Sequence, residues 1–154
     1  EGKVDEFGML IPFPSVPAIR KVPDHVVVAV ATGHHKSTLF SLERRMELFR
    51  ECVRDLDGVS VVGFEGLLVE FAREHKAHVI VRGIRFVSDF EYEFQLALMN
   101  RRRGPASGPL FFTPTAKYSD LNSSVIKEVA RLGGDVSGLV PAPVLRALKE
   151  SFEA

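Results

Sequence analysis

Cysteine is almost absent from this chain. Cys52 is the only one in 154 residues, so no disulfide framework can form within it, which fits a reducing compartment. Cys52 falls in a helical pattern with Met46, Leu48, Phe49 and Val53, the setting of a small buried hydrophobe. Net charge is absent too. Twenty basic and twenty acidic side chains cancel, so nothing global draws the chain to nucleic acid or to an anionic membrane. Any anion site must be a local cluster. No apolar run is long enough to cross a bilayer; the longest, Val26–Ala31, has the length of a strand. No signal-peptide pattern is present, and the expected location is the cytoplasm. The chain opens on Glu1 rather than Met, so residues 1–25 as written need not be the native start. There is no internal repeat, no low-complexity tract, no Walker loop, and no G-x-G-x-x-G, G-x-S-x-G or Cys-His arrangement.

What is present is an ordinary globular composition, 45% hydrophobic and 26% charged, in a length that suits one domain with one core. Residues 1–25 hold prolines at 12, 14, 17 and 23, which exclude a normal helix over 12–23; residues 8–11 could form a short strand. From there strands and helices alternate. VVVAVA (26–31) is a β-branched run of the kind buried on both faces, followed by a loop over 32–38 with His34, His35 and Lys36. Ser41 caps a helix over 42–56. Residues 59–64 form a strand, 66–75 a helix and 78–83 a strand, and a long helix begins near Ser88, with Glu91 completing a capping box. Residues 110–115 are another strand. Asn122 or Ser123 caps a helix that stops at Gly133 and Gly134, and a last helix covers 143–152. This alternation argues for βαβ units in a single α/β domain, a doubly wound parallel sheet.

The residues with chemistry cluster at strand ends. The strand over 78–83 runs into Arg82-Gly83-Ile84-Arg85, and the helix beyond it places Asp89, Glu93, Leu96 and Asn100 on one stripe, with Phe90, Phe94, Ala97 and Leu98 on a broad apolar face. Ligands bind at the carboxyl ends of strands in open α/β sheets, and guanidinium groups match phosphate. A plainer reading, an exposed turn with two solvated arginines, stays open on these residues alone. Right-handed crossovers bring the loops over 32–38, 82–85 and 113–124 to one edge. That gathers Lys36, Arg82, Arg85, Tyr118, Ser119, Asn122, Ser123 and Ser124 around one crevice, where the Asn-Ser-Ser helix start offers N–H groups and hydroxyls to an anion. His34 and His35 lack a Cys or Asp partner at ligand spacing and are poor metal ligands. Arg101 to Arg103 close a helix, where cations are favourable without nucleic acid. Phe86, Phe90, Phe94 and Leu98 offer more apolar surface than one helix needs, the mark of an interface.

Three segments carry a resemblance: LFSLERRMELF (39–49), GFEGLLVEFAREHKAHVIVRGIRFVSDFEYEFQLALMNR (63–101) and SSVIKEVARLGGDVSGLVP (123–141). The run RGIR-x-x-SDFEYE-x-Q-x-A-x-MNR is the most specific part. From Val26 onward the chain resembles bacterial phosphopantetheine adenylyltransferases, Rossmann-like nucleotidyltransferases that join 4′-phosphopantetheine to ATP in coenzyme A synthesis. The resemblance implies transfer of AMP to give dephospho-coenzyme A and pyrophosphate, with Mg²⁺ accompanying ATP, binding of coenzyme A, and a homohexamer. It implies charge stabilisation by Lys36, Arg82 and Arg85. Substrate would be held by Lys36, Leu68, Arg82 and Asn100. ATP would be held by Gly83, Ile84, Arg85, Glu93 and the segment Tyr118, Ser119, Asp120, Leu121, Asn122, Ser123 and Ser124. The family's Gly-Thr/Ser-Phe-Asp-Pro stretch and T/H-x-G-H motif have no match in residues 1–25, and the serine motif reads Asp-Leu-Asn-Ser-Ser in place of Phe-Ile-Ser-Ser-Ser. The alternative implied by that departure is an impaired relative that binds coenzyme A or nucleotide as a regulatory or structural subunit.

Overall fold

β-Branched and aromatic runs become strands because their side chains suit a pleated surface, and among its described residues the computed structural model has four strands and five helices. It describes residues 25–32, 38–103, 108–113 and 121–152. In chain order these hold β1 (Val26–Ala31), α1 (Leu42–Val53), β2 (Val59–Phe64), α2 (Leu68–Glu74), β3 (Val79–Gly83), α3 (Val87–Arg103), β4 (Gly108–Phe112), α4 (Ser123–Arg131) and α5 (Ala142–Phe152). Every ladder is parallel. β1 lies against β2 with Val26 opposite Val59 and Ala31 opposite Phe64, and β3 lies against β4 with Val79 opposite Gly108 and Gly83 opposite Phe112. The expected α/β architecture is therefore present, although the described strands form two parallel pairs rather than one continuous sheet.

The core is built on α1. Its apolar positions recur at helical spacing, so Phe49 and Val53 meet Val30 and Val61 of the first strand pair, while Leu48 joins Phe40, Val136, Val144, Ala147 and Leu148 near α5. α1 approaches β2 closely at Gly63, where an added Cβ would sit 2.8 Å from the Met46 sulfur, so a larger residue would shift that side chain. Only Val30 of β1 is fully buried; the other five residues are half-buried. The reading of a strand buried on both faces is too strong for the described residues, because Val28 and Val30 pack against α1 while Val27, Ala29 and Ala31 on the other face stay half-buried.

Several boundaries differ from the sequence pattern for local reasons. The Ser41 hydroxyl accepts from the Arg44 amide as the cap of α1, and the helix ends at Val53 because Leu56 turns back to donate to the Val53 carbonyl. α2 starts at Leu68 rather than 66, since Leu67 is extended. β4 includes Pro109, which a strand paired on one side tolerates. α3 starts at Val87, one residue before Ser88, so Ser88 is not its cap. Asp89 takes that task, accepting from the amides of Arg85 (3.1 Å) and Phe86 (3.3 Å). α4 stops as expected. Gly133, at φ +77°, donates to the Ala130 carbonyl and Gly134 to that of Val129, closing a Schellman turn. The short strand foreseen at residues 8–11 lies outside the described residues.

Candidate functional site

The parallel pairing of β3 with β4 sets Gly83 beside Phe112, so the turn after β3 and the chain after β4 leave at the same end. The Ile84 amide extends this ladder by donating to the Phe112 carbonyl. At that end the acidic stripe of α3 meets the two arginines. Asp89 and Glu93 are one turn apart on one face. Glu93 receives the Arg82 guanidinium in a two-point grip, from Nε at 2.8 Å and from Nη2. Asp89 receives Arg85 Nε at 3.3 Å in addition to its two amides. Each strand-end arginine is thus clipped to its own carboxylate, an arrangement the planar guanidinium favours.

The two arginines then diverge. The Arg85 side chain is only 8% exposed, and its Nη1 donates to the Leu121 carbonyl at 2.9 Å. That bond joins the Arg-Gly-Ile-Arg turn to the start of α4, where the Asn122 side chain caps the helix by accepting from the Ser124 amide at 2.8 Å. Ser123 is buried and Ser124 exposed. Arg82 stays 28% exposed against 11% for Glu93, so the arginine is the more open member of the pair. The structure therefore brings together Arg82, Gly83, Ile84, Arg85, Glu93, Leu121 and Asn122, through direct bonds or adjacency in the chain. Leu68 is half-buried as the first residue of α2, and Asn100 is half-buried further along α3; among the described residues no hydrogen bond or ion pair joins Asn100 to the arginines. Lys36, His34, His35, Tyr118, Ser119 and Asp120 lie outside the described residues.

One buried charge escaped the sequence reading. Arg45 on α1 is 4% exposed, and donates from Nη1 to the Ala31 carbonyl (2.9 Å) and from Nη2 to the Thr32 carbonyl (3.4 Å). Its Nε is buried without a partner among the described residues. Burial pushes the guanidinium's pKa down, opposed by Glu43. Arg45 pins the residues from which the Lys36 loop departs. The signal was its spacing: position 45 falls on the helical face of Leu48, Phe49 and Val53, while its neighbour Arg44 pairs at the surface with Glu47 and Glu150.

Among the described residues no group of three His, Cys, Asp or Glu could hold a metal ion, and Asp89 and Glu93 are both committed to arginines. These donors do not fit a Mg²⁺ caged by the protein itself. Among the described residues no helix is long and apolar enough to cross a membrane.

Alternating parallel strands and helices, with cationic and helix-start groups at the carboxyl ends of β3 and β4, are those of a Rossmann-type nucleotidyltransferase domain. The cytidylyltransferase-like family matches residues 17–129. The chain belongs to that family, and nucleotidyl transfer, with a nucleotide as substrate, follows as its general activity.

Proposed function

We propose that this nucleotidyltransferase moves the AMP moiety of ATP onto 4′-phosphopantetheine, giving dephospho-coenzyme A and pyrophosphate. The observation that supports this reading best is the Arg85 bond to the Leu121 carbonyl, which joins the Arg-Gly-Ile-Arg turn to the Asn-Ser-Ser helix start. The first element offers the partly exposed Arg82 guanidinium, the second a helix start with the exposed Ser124, and both are suited to phosphate. In this reading Arg82 receives the phosphate of phosphopantetheine. Gly83, Ile84, Arg85 and the chain into Asn122 line the ATP side. The acceptor phosphate is already anionic at neutral pH, so the protein supplies orientation and charge stabilisation rather than a general base. Mg²⁺ enters with the triphosphate, consistent with its habit of binding through substrate phosphates. Coenzyme A shares the phosphopantetheine arm and competes for the same site. The half-exposed aromatic face of α3 supports assembly into a homo-oligomer, for which the hexamer is the proposed form.

The test is pyrophosphate release from ATP, with and without 4′-phosphopantetheine, and with CTP in place of ATP. Release that needs both ATP and phosphopantetheine is the expected result. Release from CTP, or release indifferent to phosphopantetheine, overturns the assignment. The absence of a T/H-x-G-H motif from residues 1–25 favours a second reading, a chain that binds coenzyme A or nucleotide without turning over. That reading gives heat of binding in calorimetry and no pyrophosphate.

A further inference from the structure

The Arg82–Glu93 pair looks at first like a loss of function, because a carboxylate holds the guanidinium that should hold a phosphate. Its geometry gives a different answer. Glu93 takes Nε and Nη2, which form one edge of the guanidinium fork. Among the described residues Nη1 has no partner, and Arg82 is the more exposed member of the pair. Glu93 is the more deeply buried member, so a ligand that pulled Arg82 away would leave a carboxylate in a desolvated place without its counter-charge. Stranding one member of a buried pair costs far more than a surface ion pair contributes. A phosphate therefore adds to the pair instead of breaking it.

We infer that Glu93 is a positioning residue that fixes Arg82 with its Nη1 edge toward the ligand and, by its own charge, limits how tightly that edge holds phosphate. The inference rests on the proposed role of Arg82 as the acceptor-phosphate ligand. Two consequences separate it from a merely structural ion pair. A phosphate that joins the pair should disturb Nη1 and leave Nε and Nη2 bound to Glu93. And neutralising Glu93 should tighten phosphate binding, because a negative charge a few ångströms from the anion is removed while the cation remains. A group that only stabilised the fold would weaken binding when altered. A strand-end arginine steadied in this way suits a site that must release its product as well as bind its substrate.

The experiment is a titration with inorganic phosphate, followed by nitrogen-15 NMR of the arginine guanidinium groups, on the full chain. In the wild type, the Nη1 signal of Arg82 should move while its Nε and Nη2 signals keep the shifts of the Glu93-bound state. Movement of all three, showing that phosphate displaces Glu93, overturns the inference without any variant. Glu93→Gln should bind phosphate about threefold to tenfold more tightly, with a steeper loss on added salt. Glu93→Asp, which keeps the charge but shortens the reach, should show no gain. Unchanged or weaker binding by folded Glu93→Gln also overturns the inference, as does a wild type whose Arg82 signals ignore phosphate. The same titration with 4′-phosphopantetheine keeps the two proposals apart. If phosphate behaves as stated but phosphopantetheine binds no better than phosphate, the role of Glu93 stands and the assignment of the substrate falls.

Discussion

Arg45 poses a contest between opposed effects of similar size, and replacing it with Met decides which wins. The Met side chain follows the aliphatic stem, so little cavity forms. On one side, the change removes the bond to the Ala31 carbonyl at 2.9 Å and the weaker one to Thr32 at 3.4 Å. A bond from a charged donor contributes about 1.5–3 kcal/mol, and a buried acceptor left unpaired adds to the loss. On the other side, the change removes a cation that is 4% exposed and whose Nε has no partner among the described residues, relieving about 1–2 kcal/mol of desolvation. Among the described residues no carboxylate pairs with this guanidinium, so the bonds to the end of β1 are its main compensation. The balance for Arg45→Met is a net loss of about 1–2 kcal/mol, which lowers the melting temperature by about 2–8 °C in a chain of this length. Arg45→Ala also gives up the buried stem, and should fall further, to about 3–4 kcal/mol. Urea unfolding of the three proteins measures both steps. A Met variant as stable as the wild type, or more stable, would refute the reasoning. It would show that the arginine is retained for the placement of Ala31 and Thr32 at a cost to stability.

Other outcomes follow from single features. Burial pushes the Cys52 thiol up to about 11, with Glu51 adding and Arg146 opposing. Alkylation by iodoacetamide near pH 8 should then be roughly a hundredfold slower in the folded chain than in urea, in proportion to the thiolate fraction; equal rates would refute the assignment. The sign for stability is that of a raised pKa, so this contribution is complete below the unfolded value near 9 and is lost as pH rises through about 11. Phe90 and Phe94 stack at 5.7 Å, yet are 45% and 47% exposed. The wild type should therefore sediment as an assembly, and a Phe90→Asp, Phe94→Asp variant as a 17.1 kDa particle. A wild type that already sediments at that mass in micromolar solution would remove the interface.

The order of elements, the first three strands, the cap at Ser41 and a cap at Asn122 or Ser123 were legible because each rests on local chemistry: β-branched runs, hydroxyl or amide caps, and a glycine pair at a helix end. Asn122 is the cap, and the fourth strand starts two residues earlier than its apolar run, at Gly108. The start of α3 was misread for a reason equally local. Ser88 and Asp89 both have capping side chains, and the sequence does not say which of them accepts the free amides. Asp89 does so because Arg85 reaches the same carboxylate, a bond made only when β3 and α3 meet. The Asp89–Glu93 stripe was also visible in the sequence, but its partners were not. Two acids one turn apart and two arginines three residues apart match in number and spacing, a match that could have been drawn. The buried Arg45 was hidden by its neighbour, since a pair of adjacent arginines in a helix reads as surface charge until the phase against Leu48 and Phe49 is worked out.

The site half of the molecule is held together differently from the core half, and this bears on function. Among the described residues, every fully buried apolar side chain lies outside β3, α3 and β4. Val79, Leu110 and Phe112 of that unit stay well exposed, as do Phe86, Phe90, Phe94, Leu98 and Met99. What fixes the arginines there is a set of charged bonds, Arg82 to Glu93 and Arg85 to Asp89 and Leu121, together with a thin apolar contact of Phe90 on Phe111. Charged bonds are directional, so they set the orientation of a guanidinium better than packing does. They stabilise weakly where water reaches them, and strengthen as water is excluded. A second copy of the chain placed against the aromatic face of α3 would exclude water from that unit without touching the arginines. Assembly and phosphate binding should then be linked, each favouring the other by the same free energy.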